Sequence, residues 1–273
     1  MTTSMRRSHR YWSRTMREFL EDAFQHRDDG YGRAQKHAKQ ELPKRFYKET
    51  GVVPVEGGFT VTLDGRPTRT PGRVPVVVPV AGIATIMAEE WAAQGERIDA
   101  QTMPMVRLVN SALESGEGMV PSFRDEVVKF AGSDLMLYRA ESPRELAAEQ
   151  EAMWDEALVK LARHFGVSFQ PTIGILHQPQ PPATLAKLEE SLEGEGLLVL
   201  TALVSITGLT GSGLLAIGLL DRLFTPDYVW SAAHVDEDFQ IRQWGEDEEA
   251  IERRARRRIE FDTAVKLIEL MRG

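Results

Sequence analysis

The chain contains no cysteine. That absence excludes disulfide cross-links, thiolate metal centres and cysteine nucleophiles, and leaves six scattered histidines as the imidazole ligands a metal could use. His164, His177 and His234 show no HExxH or other ligand spacing, so neither a metal nor a cofactor is expected. Basic charge is also short: 33 lysines and arginines face 41 acids, for a net charge of -8 and a pI near 5.4. A generic nucleic-acid binder would show the opposite balance, and no nucleic-acid partner is expected. No Gly-x-Ser-x-Gly elbow appears, and the first residues carry no apolar signal-peptide core. What remains, 273 residues at 42% hydrophobic content, can fill one large or two ordinary domains.

The longest stretch without charge runs from Gly196 to Leu220, between Glu195 and Asp221. Its length fits a bilayer, which needs about 20 apolar residues. Gly208, Gly211, Ser212 and Gly213 interrupt it, and each glycine inside a helix costs roughly 1 kcal/mol relative to alanine. The flanks lack the basic and aromatic anchors of a membrane edge. The stretch therefore reads as two short helices hinged at a turn in the centre of a helical core, without stable membrane insertion. A phosphate loop is the other possibility a glycine-rich helix start raises, but no lysine follows as in a Walker loop and the Rossmann third glycine is missing.

In chain order, residues 1–41 read as an extension. Arg6, Arg7, Arg10, Arg14 and Arg17 precede the first acid, Glu18, a charge pattern shared by mitochondrial presequences and basic bacterial extensions; residues 16–26 could form a short amphipathic helix. From residue 46 to 80 the period is two. Phe59, Val61 and Leu63 alternate with threonines, Asp64-Gly65 supplies a two-residue turn, Arg66–Thr70 returns antiparallel, and Val52-Val53 and Pro75–Val78 add short strands. Helices follow, with Ile83, Ile86, Met87 and Trp91 on one face and Leu108, Val109, Ala112 and Leu113 on the next. Ser115-Gly116-Glu117-Gly118 marks a domain junction.

Beyond it, Ser142-Pro143-Arg144-Glu145 reads as a capping box opening a helix that runs to Gly166, and Thr225-Pro226 caps a helix that ends before Trp244-Gly245. A charged helix over residues 247–272 closes the chain, with Ile251, Ala255, Ile259, Ala264, Leu267 and Leu270 as its apolar positions. The expected fold class is α+β: an extension (1–41), a small antiparallel β-rich N-terminal domain with packing helices (42–115) and a mainly α-helical C-terminal domain (116–273).

The densest acidic region is Asp236, Glu237 and Asp238 followed by Glu246, Asp247, Glu248 and Glu249. Such carboxylates could hold a divalent cation or act as an acid/base pair. Asp247, Glu248 and Glu249 also suit the first turn of a helix, where negative charge complements the dipole. Asp236 and Glu237 lie near Phe239 on an otherwise apolar helix, which points them toward a groove and a partner. The run Arg253–Arg258 resembles a nucleic-acid patch, yet Glu249 to Arg253 and Glu252 to Arg256 are i,i+4 pairs that account for a solvated face.

Several phrases occur together in one order: Lys44-Arg45-Phe46-Tyr47-Lys48, Leu63-Asp64-Gly65-Arg66 with Thr70-Pro71, Ala88-Glu89-Glu90-Trp91 with Gln94, Met103-Pro104, Asp134-Leu135 with Tyr138-Arg139, and Asp236-Glu237 through Gln240 to Trp244-Gly245. Over about residues 42–272 the chain thereby resembles the ATP synthase assembly chaperone family, whose members hold the free alpha subunit of the catalytic head. The resemblance implies a two-domain, non-enzymatic chaperone of the alphaproteobacterial cytoplasm or the mitochondrial matrix. It also implies that an acid after the Trp-Gly pair matters, falling on Glu248 or Glu249. The sequence departs from relatives in carrying Glu114 where many have aspartate, and in lacking a cysteine near Leu137-Tyr138-Arg139.

On this reading the alpha subunit's exposed apolar surface is covered until beta replaces the chaperone. Trp91, Met103 and Trp244 serve as anchors, and Asp236, Glu237, Glu248 and Glu249 pair basic groups. A different class of function, a small-molecule enzyme, would use the acids with Arg139 or Arg242 in an interdomain cleft and require a deep polar pocket with shifted carboxylates. A membrane-associated factor is the third alternative.

Overall fold

The period-two run at residues 59–63 forms strand β2 (Gly58–Leu63) in the computed structural model, which describes residues 42–245 and 248–273. β2 pairs antiparallel with β1 (Thr50–Val55) on one side and with the two-residue β3 (Arg66–Pro67) on the other. The turn into β3 is the expected one, with Asp64 at φ 48° and Gly65 at φ 76°, the doubly positive pair a tight hairpin requires. Asp64 also accepts from the backbone N–H of Lys48 and Glu49, both at 2.9 Å, and these bonds lower its pKa. Pro75–Val78 does not extend as a strand. It pairs through isolated bridges, Phe59 with Val78 and Arg69 with Pro75, because prolines 75 and 79 cannot donate to a ladder.

Helix α1 (Ala81–Ala92) lies across β1 and β2 and buries Ile83, Ala84, Met87 and Ala88 there. α2 (Pro104–Ser115) starts at the expected Met103-Pro104, with proline at its first position. α3 (Val120–Gly132) follows, then β4 (Tyr138–Arg139). The Ser142–Glu145 capping box does not form: α4 (Arg144–Gln150) has Pro143 as its N-cap, without a side-chain capping bond. Pro143, at ψ 160°, is still extended, so Ser142 sits one residue too far out to reach the first turn. A π-helical turn (Glu151–Asp155) leads into α5 (Glu156–Phe165), which stops at Gly166 with φ 66°. β5 (Thr172–Ile173) pairs in parallel with β4, and α6 (Pro182–Ser191) comes next.

The uncharged stretch is two helices, α7 (Leu197–Thr210) and α8 (Gly213–Leu220), hinged at Gly211-Ser212. α7 is apolar on nearly every side because α2, α3, α8 and the last helix surround it, and all eight residues of α8 are buried. Gly213 is required by close approach: a Cβ there would lie 2.3 Å from the Val127 carbonyl of α3. Among the described residues no helix is long and apolar enough to cross a membrane.

The single helix expected from Thr225-Pro226 to a point before Trp244-Gly245 is broken at His234 into α9 (Pro226–Ala233) and α10 (Val235–Trp244), which includes Trp244. Thr225 does cap α9, accepting from the Tyr228 N–H at 3.2 Å. α11 (Glu248–Arg272) then returns along α7, α2 and α1. Its second half buries Phe261, Ala264, Val265, Leu267 and Ile268. Its first half reverses the expected polarity: Ile251, Ala255 and Ile259 face outward, while Arg253, Arg254, Arg257 and Arg258 are half-buried. The arginines are drawn inward by acceptors, since Arg254 pairs Asp238 at 2.5 Å, Arg257 donates to the Leu209 carbonyl, and Arg258 bonds Asp227 and Asp262. The Glu252–Arg256 pair forms on the outer side at 3.4 Å. The expected helix over residues 16–26 and the acids Glu246 and Asp247 lie outside the described residues.

Candidate partner-binding site

The acidic helix α10 is held to the body of the protein by polar ties to α4 and α11. Asp236 accepts from Gln150 Nε2 at 2.7 Å, Asp238 pairs Arg254, and Arg242 pairs Glu149 of α4. Val235 and Phe239 supply the buried side. Asp236 itself stays exposed and Glu237 half-exposed, so the helix turns carboxylates toward solvent in a fixed orientation. Gly245, at φ 82°, terminates α10 and leaves Trp244 87% exposed at its end. Across the Trp-Gly corner Glu248 and Glu249 open α11, both exposed. The structure therefore brings Asp236, Glu237 and Trp244 together on one short helix, with Glu248 and Glu249 on the next.

His234, at the break between α9 and α10, is buried. Its Nδ1–H donates to the Trp230 carbonyl at 2.7 Å, while Nε2 faces Glu237 at 3.7 Å. Burial lowers its pKa, with Arg257 and Arg254 acting in the same direction and the Trp230 carbonyl and Glu237 opposing.

Trp91 and Met103 sit elsewhere. Trp91 is half-buried, edge-on to Tyr47 at 5.5 Å, and its carbonyl accepts from the Tyr47 hydroxyl at 2.7 Å. Met103 is 1% exposed and belongs to the core, so it offers no surface to a partner. Its Met-Pro phrase serves the fold: Glu90 accepts from the Met105 and Val106 N–H groups at 2.8 Å, closing the start of α2, and burial raises the Glu90 pKa. Other phrases are structural in the same way. Arg45 donates to the carbonyls of Ala92 and Gln94 at the end of α1, and buried Gln94 bonds Glu90, Thr102 and Asp99. Arg139 is buried between the Met136 carbonyl and Asp155, over the Trp154 ring.

The deepest carboxylate is Asp134. It accepts from Ser212 Oγ and from the N–H groups of Leu214 and Met136, at 2.7, 2.8 and 3.1 Å. Burial pushes its pKa up to about 7, against the pull of those hydrogen bonds. The glycine-rich start of α8 thus does receive an acidic group, and that group is the protein's own Asp134 side chain. The acids a catalytic cleft would need, by contrast, are spread over two helices, with Asp236, Glu248 and Glu249 exposed and Glu237 half-exposed. Arg242 is exposed, whereas Arg139 is buried.

Sequence reasoning missed one exposed apolar segment. Ile173, Ile175 and Leu176 are 69%, 95% and 79% exposed. They show no periodicity, and the available signal was their setting in a Gln- and Pro-rich run without charge.

The family model described as ATP12 chaperone protein matches residues 44–162. An Agrobacterium tumefaciens protein assigned as a chaperone has a solved structure 38% identical to this chain, with a TM-score of 0.81 over 95% of this chain and 98% of its own. The crystal structure of Atp12 from Paracoccus denitrificans is 33% identical, with a TM-score of 0.76 over 84% of this chain and 98% of its own. An aspartate-to-lysine mutant of that Paracoccus protein is 32% identical, with the same TM-score over 84% and 97%.

Proposed function

The chain belongs to the ATP12 chaperone family, and from that premise we propose that it holds the unassembled alpha subunit of the ATP synthase catalytic head and yields it to beta. An isolated alpha subunit exposes the apolar surface meant for its neighbour, an aggregation liability that a cover removes. The observation that carries the reading is Trp244, 87% exposed at the end of an acidic helix that polar ties hold in place. A large exposed aromatic beside oriented charges is the composition of an interface anchor, the ring supplying buried area and the acids supplying orientation.

In this role Trp244 packs on the apolar surface, while Asp236, Glu237, Glu248 and Glu249 pair basic groups at its rim. Trp91, packed edge-on against Tyr47, whose other ring neighbour Phe46 is exposed, is a secondary contact. Release needs no chemical step, since beta competes for the same surface and wins by affinity. The site of action is the compartment where the catalytic head assembles, the cytoplasm in an alphaproteobacterium.

Capture experiments with separately produced subunits test the proposal. The protein should retain alpha, bind beta weakly or not at all, and lose alpha when beta is added. Preferential capture of beta, or of neither subunit, would sink it.

A further inference from the structure

From Gly166 to Ala186 the chain carries no lysine, arginine, aspartate or glutamate, although the protein as a whole has a net charge of -8. The middle of this run is an apolar tip, Ile173-Gly174-Ile175-Leu176, with Ile175 95% exposed. Leaving three large aliphatic side chains in water opposes the hydrophobic effect, and a slack loop would relieve it by folding them back. This loop is instead stapled at its base. The buried Gln180 side chain accepts from the Gln170 N–H at 2.8 Å and donates to the Gln170 and Gln178 carbonyls at 3.0 and 3.1 Å. Gln178 Nε2 adds a bond to Gln170 Oε1 at 3.2 Å, closing the two arms.

Nearer the tip, the Gly174 N–H donates to the Arg139 carbonyl at 2.9 Å and the Tyr138 hydroxyl bonds His177 Nδ1 at 2.9 Å. Gly174 turns with φ +81°, and the Glu141 carboxylate lies against it, 2.5 Å from where a Cβ would stand. The tip is therefore presented in a fixed shape, which lowers the entropy cost of burying it in a partner.

Its surroundings connect it to the acidic helix. Gln150 accepts from the Ala140 N–H at 2.7 Å and donates to Asp236, so β4 lies between the tip, bonded at Arg139, and α10, tied at Ala140. Glu141, against Gly174, and Asp236, tied through Gln150, are the exposed acids on this side, with the exposed Arg144 following Glu141 in the chain. A phospholipid surface, which is usually anionic, fits those two acids poorly, and the uncharged loop offers no lysine or arginine to hold it.

We infer that Ile173, Ile175 and Leu176 are a preformed apolar plug that enters a hydrophobic groove on the bound polypeptide, a groove whose margins carry basic side chains that meet Glu141 and Asp236. The inference rests on the reading of the alpha subunit as partner and adds a second contact to the one at Trp244.

The test is titration of full-length protein with isolated alpha subunit, comparing the parent chain with the Ile175→Ser/Leu176→Ser double variant. Both side chains are exposed, so the melting temperature should be unchanged, while the dissociation constant should rise by about ten-fold or more, as for an interface hot spot. Ile175→Ala, which removes only exposed atoms, serves as a second variant and should show a smaller loss in the same direction. Parent and double variant binding alpha equally would overturn the plug while leaving the alpha-subunit reading in place. A parent chain that ignores alpha would overturn both. Flotation of the parent, but not the variant, with phosphatidylglycerol-containing vesicles would overturn the plug in favour of a lipid contact, and a parent dimer that the variant dissolves would overturn it in favour of self-association.

Discussion

Ser212 donates its hydroxyl to the Asp134 carboxylate at 2.7 Å, joining positions 78 residues apart in the chain, and the same serine oxygen accepts from the Leu215 N–H at 2.9 Å. One hydroxyl thus caps α8 and fastens the turn after α3 to the hinge of the buried hairpin. A buried carboxylate with several donors aimed at it makes the hinge sensitive to both substitution and pH.

Asp134→Ala should destabilise the protein by at least about 2 kcal/mol, because the Ser212 hydroxyl and the Leu214 N–H lose a buried acceptor. Denaturant unfolding at constant pH measures this, and a change within about 0.5 kcal/mol would show that the hinge relaxes or that water replaces the carboxylate.

The Asp134 carboxyl rises from an ordinary 3.8 to about 7 in the folded protein. A carboxyl raised on folding contributes stability that is fully present below the unfolded value and disappears as pH rises through the folded one. This group's contribution should fall between pH 3.8 and about 7 and be level above it. Asp134→Asn should flatten that part of the stability profile, measured by urea unfolding across the range. An unaltered slope in the variant would assign the pH dependence to other groups.

Leu203 is fully buried in α7. Leu203→Ala should cost about 2–5 kcal/mol by leaving a cavity, and Leu203→Asp should prevent folding by burying an unpaired charge. Circular dichroism and thermal melting distinguish the two, and a stable, folded Leu203→Asp protein would contradict the placement of this helix in the core.

On α11 the outward and inward faces should respond unequally. Ile259→Ser, on the exposed side, should change stability by no more than about 0.5 kcal/mol. Arg258→Ala removes bonds to Asp227 and Asp262 and the packing of the guanidinium over Trp230, and should cost about 1 kcal/mol or more. Melting temperatures in the reverse order would restore the isoleucines to the core.

Trp244→Ala should leave the melting temperature unchanged, since the ring is 87% exposed, and should weaken alpha-subunit binding about ten-fold or more. Reversing both Glu248 and Glu249 to lysine should impair assembly of the catalytic head with the fold intact. Unfolding of that double variant would instead assign the two acids to stabilising the start of α11.

Much of this architecture was legible in the sequence because its causes are local. The Asp64-Gly65 turn, the break at Gly211-Ser212, the Thr225 cap and the stop at Gly166 each follow from the backbone freedom or hydrogen-bonding reach of one or two residues. The ordered phrases sufficed to indicate the family, yet most of the residues in them maintain the fold: Arg45, Glu90, Gln94, Asp134 and Arg139 all satisfy backbone groups. Of the candidate site, Asp236, Glu237, Trp244, Glu248 and Glu249 were legible as an acidic group beside an aromatic. Met103 was misplaced because an apolar side chain next to a helix start has the same local sequence whether it faces a partner or the core.

The sequence by itself determined where the chain turns, where most helices begin and end, and that residues 196–220 are uncharged throughout, since each depends on neighbours within a few positions. Only the tertiary structure decided which way those elements face. Asp134 meets Ser212 across 78 residues, Gly213 must clear the Val127 carbonyl of another helix, and the arginines of α11 turn inward because Asp238, Asp227 and the Leu209 carbonyl await them. The exposed tip at Ile175 belongs to the same group, as buried Gln180 holds its base closed from outside the tip. Helical period marks a stripe as apolar, but whether that stripe or its opposite is buried depends on the partners that distant segments bring to it.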